Sequence, residues 1–171
     1  NGDIEIFRKL IIVEKPENNN TEISLERAKA FNNEKKRGKR KNMNQHVWVI
    51  DDDSAIRWVL DRALSQAGIP ITAFNTADQA LHHLGGESPL AIITDIRMPG
   101  MSGLEFLRQV KEAHHQVPII VMTAHSDLQS AVTSFERGAF EYLPKPFDVD
   151  DAVAVVRRAI AQTEELSLIH I

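Results

Sequence analysis

From His46 onward the chain alternates between short apolar runs and longer segments with helical spacing, and this alternation constrains the fold more than any other feature. The runs are HVWVI, IPITAF, PLAIITD, VPIIVMT and AFEYL. Each has the length of a strand and the β-branched, nearly continuous apolar character of a parallel strand buried on both faces. Between the first two, SAIRWVLDRALSQAG lines up Ile56, Val59, Leu60, Ala63 and Leu64 as one stripe, with Ser54 as the cap and Gly68 as the stop. TADQALHHLGG repeats the arrangement with Thr76 and Gly85. SGLEFLRQVKEAHH, SDLQSAVTSFERG and DVDDAVAVVRRAIAQ follow, capped by Ser102, Ser126 and Asp148. Strict alternation of strand and helix predicts right-handed crossovers and a parallel sheet covered by helices on both sides.

Composition narrows the setting. Apolar residues at 43% and charged residues at 26% are ordinary for a globular domain. No apolar run approaches the ~20 residues of a membrane span, and the N-terminus lacks the order of a signal peptide. The absence of cysteine excludes disulfides and thiolate zinc sites and suits a reducing cytoplasm. The adjacent pairs His82–His83 and His114–His115 point in different directions on a helix and read as surface residues.

Charge divides the chain. Residues 1–42 hold 11 basic and 7 acidic residues, whereas 43–171 hold 9 and 17. The basic run EKKRGKRKN has no interleaved aromatics and reads as a solvated extension rather than a nucleic-acid patch. Met43 is a candidate natural start, which would make 1–42 upstream or foreign sequence. LSLIHI departs from the pattern of the last helix, so 164–171 is expected to be a tail and 43–163 the folded domain.

In an open α/β sheet, ligands bind beyond the carboxyl ends of the strands. Here the first strand ends in Asp51, Asp52 and Asp53, the third in Asp95, the fourth in Thr123 and the fifth in Lys145. Singly, each has a structural explanation: Asp53 can cap the next helix beside Ser54, Lys-Pro can mark a turn, and Thr123 can be a strand residue. Their coincidence at four ends of one sheet points to chemistry instead. Clustered carboxylates suit a hard cation such as magnesium, which takes oxygen ligands and commonly pairs carboxylates with phosphate oxygens. A carboxylate can also attack phosphorus, while a lysine and a hydroxyl bind the oxygens that gain charge. An acyl hydrolase would need a histidine-activated nucleophile, and none is placed here.

The motifs VIDDD (49–53), TDIRMPGMSG (94–103), VMTAH (121–125) and YLPKPF (142–147) resemble those of response-regulator receiver domains of two-component signalling, over residues 46–163. VWVIDDDSAIRWVL, DIRMPGMSGLEFL, MTAHSDLQSAV and GAFEYLPKPFDVDDAV are similar in particular to receivers of the NtrC family of nitrogen regulators. The resemblance implies a flavodoxin-like (βα)5 fold with strand order 2-1-3-4-5. It implies Asp95 as phospho-acceptor, with Thr123 and Lys145 contacting the phosphoryl group. Asp52 and Asp53 would be the acid pair serving Mg2+, Asp53 directly and Asp52 partly through water, with Asp95 and the backbone carbonyl of Arg97 as further ligands. Asp51, the last strand residue, is expected to be structural. Tyr142 would be the aromatic coupled to Thr123, and the Lys145–Pro146 bond would be cis.

The same resemblance implies a sensor histidine kinase as partner, a phosphorylation-dependent dimer, and output through ATPase and DNA-binding domains of a longer parent chain. This sequence has no GxxxxGK[ST] phosphate loop, so by itself it is expected to receive and relay, without binding nucleic acid or membrane. The segment from Ser126 to Gly138 is the expected mobile element, its Leu128, Ala131, Val132 and Phe135 forming either a partner surface or a core stripe. Two other functions compete. An aspartate-based phosphatase of the dehalogenase type would carry its nucleophile after the first strand, not the third. A binding module independent of phosphorylation would not need every phosphotransfer position filled.

Overall fold

A computed structural model of the protein describes residues 46–113, 115–124 and 126–169, with side chains described as far as Glu165. The basic segment 1–42, Met43, His114, His125 and the last two residues lie outside the described residues, so the expectations placed on them are not addressed by it.

Among the described residues five strands alternate with five helices: β1 (Val47–Ile50), α1 (Ser54–Gln66), β2 (Ile71–Phe74), α2 (Ala77–Leu84), β3 (Ala91–Asp95), α3 (Gly103–Glu112), β4 (Ile119–Ala124), α4 (Leu128–Glu136), β5 (Glu141–Lys145) and α5 (Val149–Ile169). All strand pairs are parallel, in the order β2-β1-β3-β4-β5. This is the flavodoxin-like arrangement implied by the sequence. Among the described residues no helix is long and apolar enough to cross a membrane.

The pleat divides the sheet's side chains between two cores, as it must when both faces are covered. Val47, Val49, Ile93 and Met122 pack with Leu60 and Leu64 of α1 and Val155 and Val156 of α5. Trp48, Ile50, Ile92 and Val121 pack with Ala77 and Ala80 of α2 and Phe106 and Leu107 of α3. Helix α4 belongs to neither cluster; its buried residues are Ala131 and Ser134.

Several boundaries differ from expectation, each for a local reason. Helix α1 is capped by Asp53 rather than Ser54, because the Asp53 carboxylate accepts the Ala55 N–H at 2.9 Å. The cap position of α4 falls on Asp127 rather than Ser126. Strand β5 starts at Glu141, since the Ala139 N–H closes back onto the Ser134 carbonyl. It runs on to Lys145 through Pro144, which an edge strand tolerates because no neighbour requires its missing N–H. Helix α5 continues past residue 163 to Ile169. At that point it is still docked, the Thr163 hydroxyl donating to the Leu90 carbonyl at 3.0 Å.

Candidate acidic site at the strand ends

The site forms at the carboxyl ends of β1 and β3, which are neighbours, and of β5, which lies one strand further on beyond β4. The β1–β3 register pairs Ile50 with Thr94, so one step further brings Asp51 level with Asp95. Asp51, fully buried, is held at three points. One carboxylate oxygen accepts the Asp53 N–H at 2.9 Å, the other accepts Lys145 Nζ at 2.8 Å, and the Asp51 carbonyl accepts Arg57 Nη1 at 2.7 Å. Lys145 Nζ also lies 3.4 Å from Asp95 Oδ1, so one ammonium from β5 joins the acids of β1 and β3. The Ile96 N–H donates to Asp95 Oδ1 at 3.0 Å.

Electrostatics follow from this burial. Desolvation pushes the Asp51 carboxyl above its ordinary range despite the Lys145 and Asp53 donors. Burial, then the neighbouring Asp51 charge, pushes Asp95 up as well. For Lys145, burial pulls the ammonium down, but Asp51 and Asp95 outweigh it and the net direction is up.

Asp51, Asp52 and Asp95 each present one carboxylate oxygen within 4.8 Å of the others. An all-oxygen set of this kind fits a hard divalent cation, with water completing the shell, and does not fit metals that prefer nitrogen or sulfur. The grouping differs from the expected one. Asp53 is exposed, and its carboxylate caps α1 instead of turning into the cluster; Asp51 stands in its place. The reason is position along the chain: Asp53 is the cap residue just before α1, while Asp51 directly follows β1 and stands level with Asp95.

The remaining expected residues are distributed around this cluster. Thr123 is buried near the end of β4, paired in register with Pro144. The Lys145–Pro146 peptide is cis. Arg97, two residues beyond Asp95, sends its exposed side chain away from the cluster, Nε and Nη2 donating to Asp127 Oδ2 at 3.0 and 2.9 Å. Tyr142 is 38% exposed and meets Phe135 of α4 edge-on, ring centroids 5.5 Å apart.

Two further residues shape the site without having been assigned a role from sequence. One is Arg57, described above. The other is Gly103, the first residue of α3. A Cβ there would lie 2.1 Å from the Asp95 carbonyl oxygen, so any side chain would displace the acid's own backbone. A glycine directly after the capping Ser102, where no helix stop is needed, was the available signal.

Comparison with known proteins agrees with this fold. Residues 47–157 match the family model described as the response regulator receiver domain. The chain is 55% identical over 119 residues to the DNA-binding transcriptional regulator NtrC of Salmonella typhimurium, covering 70% of this chain and 25% of that protein. It is 40% identical over 119 residues to the transcriptional regulatory protein FixJ of Bradyrhizobium diazoefficiens, covering 70% of this chain and 58% of FixJ. Among solved structures it is similar to the apo receiver domain of nitrogen regulatory protein C, with 53% identity and a TM-score of 0.64, covering 70% of this chain and 97% of that domain. The chain therefore belongs to the response-regulator receiver-domain family, and spans about a quarter of the length of the NtrC relatives it matches.

Proposed function

We propose that this receiver domain accepts a phosphoryl group on Asp95 from the phosphohistidine of a sensor histidine kinase, and that the acyl phosphate biases its conformation. The observation that carries the reading is the joint placement of Asp51, Asp52, Asp95 and Lys145 around one space at the strand ends. In the transfer, an Asp95 oxygen forms a bond to phosphorus while the phosphorus–nitrogen bond breaks and the imidazole departs. Asp51, Asp52 and Asp95 would hold Mg2+, with the Arg97 carbonyl as a further ligand; the ion supplies neutralisation of the phosphoryl oxygens when bound. This assigns the acid pair to Asp51 and Asp52, with Asp53 left to its cap.

The protein's own groups supply the rest. Lys145, already charged between two carboxylates, moves its ammonium onto the incoming oxygens, which replace part of the negative charge it now neutralises. Thr123 supplies a hydroxyl donor, and its movement toward the phosphoryl group frees space for Tyr142 to turn inward from its exposed position. No turnover of external substrates is expected, because the acceptor is the protein itself. The family resemblance supports a cytoplasmic setting and a phosphorylation-dependent dimer. It also supports transcriptional output, in nitrogen regulation, through ATPase and DNA-binding domains of a longer parent protein.

Acetyl phosphate with Mg2+ tests the assignment. Intact-mass measurement is expected to show a gain of one phosphoryl group in the wild type and none in Asp95→Asn. Equal labelling of both would rule out Asp95 as the acceptor. Sustained release of phosphate from small esters would favour a phosphatase.

A further inference from the structure

Asp52 contributes an oxygen to the carboxylate cluster, yet it is exposed, and its aim depends on the backbone that carries it. That backbone is the Asp51–Asp52 peptide. A peptide unit is planar, so fixing its carbonyl oxygen also fixes the direction in which the amide of the next residue leaves. The carbonyl oxygen of Asp51 accepts Arg57 Nη1 at 2.7 Å. Arg57 lies one turn into α1, partly buried, and its own N–H is bonded to the Asp53 carbonyl at 3.2 Å, so the helix fixes the base of the side chain. The guanidinium donates to this peptide carbonyl. A group serving only to offset charge would be expected on a carboxylate.

We propose that Arg57 is a positioning residue for the phosphoacceptor site: by holding the Asp51–Asp52 peptide it keeps the Asp52 carboxylate on the space shared with Asp51 and Asp95. The inference rests on the reading of that cluster as a Mg2+ site. Its strength is that the clamp and the bare charge of Arg57 act in opposite directions. A nearby positive charge repels a divalent cation, so charge alone means that removing Arg57 tightens Mg2+ binding. Loss of the clamp lets Asp52 wander and weakens it.

Calorimetric titration of the full chain with Mg2+ separates the two, using wild type, Arg57→Met, Arg57→Lys and Asp52→Asn. A hydrogen bond involving a charged group is large enough to change binding by about tenfold, so Arg57→Met is expected to bind Mg2+ about tenfold more weakly than wild type. Arg57→Lys, which keeps a charged donor, is expected to recover most of that loss. Arg57→Met binding as tightly as wild type or more tightly would overturn the clamp, as would Arg57→Lys binding as weakly as Arg57→Met. Circular dichroism and the melting temperature in EDTA check folding. Should Arg57→Met not fold, Arg57→Gln carries the test: tighter binding than wild type means charge alone, weaker binding means a lost clamp. Wild type and Asp52→Asn with the same Mg2+ response would overturn the metal-site reading, and the inference with it.

Discussion

Helices α1 and α4 both leave strand ends that carry site residues, and they are held very differently. Helix α1 buries Val59, Leu60 and Leu64, is capped by the Asp53 side chain, and reaches back through Arg57 to the carbonyl of Asp51. Helix α4 buries only Ala131 and Ser134 and leaves Leu128 70% and Phe135 46% exposed. Its capping residue Asp127, at φ −113° and ψ 51°, falls outside the extended region adopted by Asp53, Thr76 and Ser102. A link from its start to the acidic loop is the ion pair between the exposed Arg97 side chain and Asp127. An open cleft of about 530 Å³ separates the loop residues Ile96, Met98 and Pro99 from Ser130 of α4. A fully buried leucine or valine contributes roughly 1.5–3 kcal/mol, so α1 is anchored by several such contributions that α4 lacks. The difference teaches where a chemical event can be converted into movement. The carboxylates sit on a junction that must not shift if they are to share an ion, whereas the junction after Thr123 is weakly packed enough to respond.

Leu60→Ala and Leu128→Ala probe this contrast most strongly. In urea denaturation, Leu60→Ala is expected to cost about 2–5 kcal/mol, and Leu128→Ala to stay within about 0.5 kcal/mol of wild type. Similar costs for the two would erase the distinction between the helices.

A smaller effect is expected at the acids. Burial and the Asp51 charge raise the carboxyl of Asp95 above its ordinary 3.8. A carboxyl raised in the folded state favours folding while protonated. That contribution is fully present below the unfolded value and is lost as pH rises through the folded one. Asp95→Asn, which cannot ionise, should therefore melt a few degrees above wild type in EDTA at pH 7. The gain should shrink to nothing as pH falls below about 3.8, where both forms are neutral. A variant that melts below wild type at pH 7 would mean that the link between Lys145 and Asp95 outweighs the cost of the buried charge.

Much of this was legible in the sequence because period and chemistry coincided. The five apolar runs, their helices and the residues at the strand ends could be read directly, and so could Asp95, Thr123 and Lys145 as candidates. The acid triplet was harder. Three consecutive carboxylates have no periodicity of their own, and their roles depend on where the strand stops and the helical turn starts. Comparing strand ends would have helped. Asp51 follows VWVI as Asp95 follows AIIT, and the register sets the two side by side. Arg57 was hidden for another reason: its partner is a main-chain carbonyl, which leaves no mark in the side-chain pattern. Gly103 was visible as a letter, but its cause, the approach of α3 to the Asp95 backbone, is a tertiary one.

Amide hydrogen exchange with acetyl phosphate and Mg2+ present or absent tests the central claim most directly. Exchange is expected to change across Leu128–Glu136 on phosphorylation, to stay constant across Ser54–Gln66, and to change in neither segment of Asp95→Asn. A uniform change in both helices, or one that persists in Asp95→Asn, would contradict a fixed acidic site coupled to a loosely held α4.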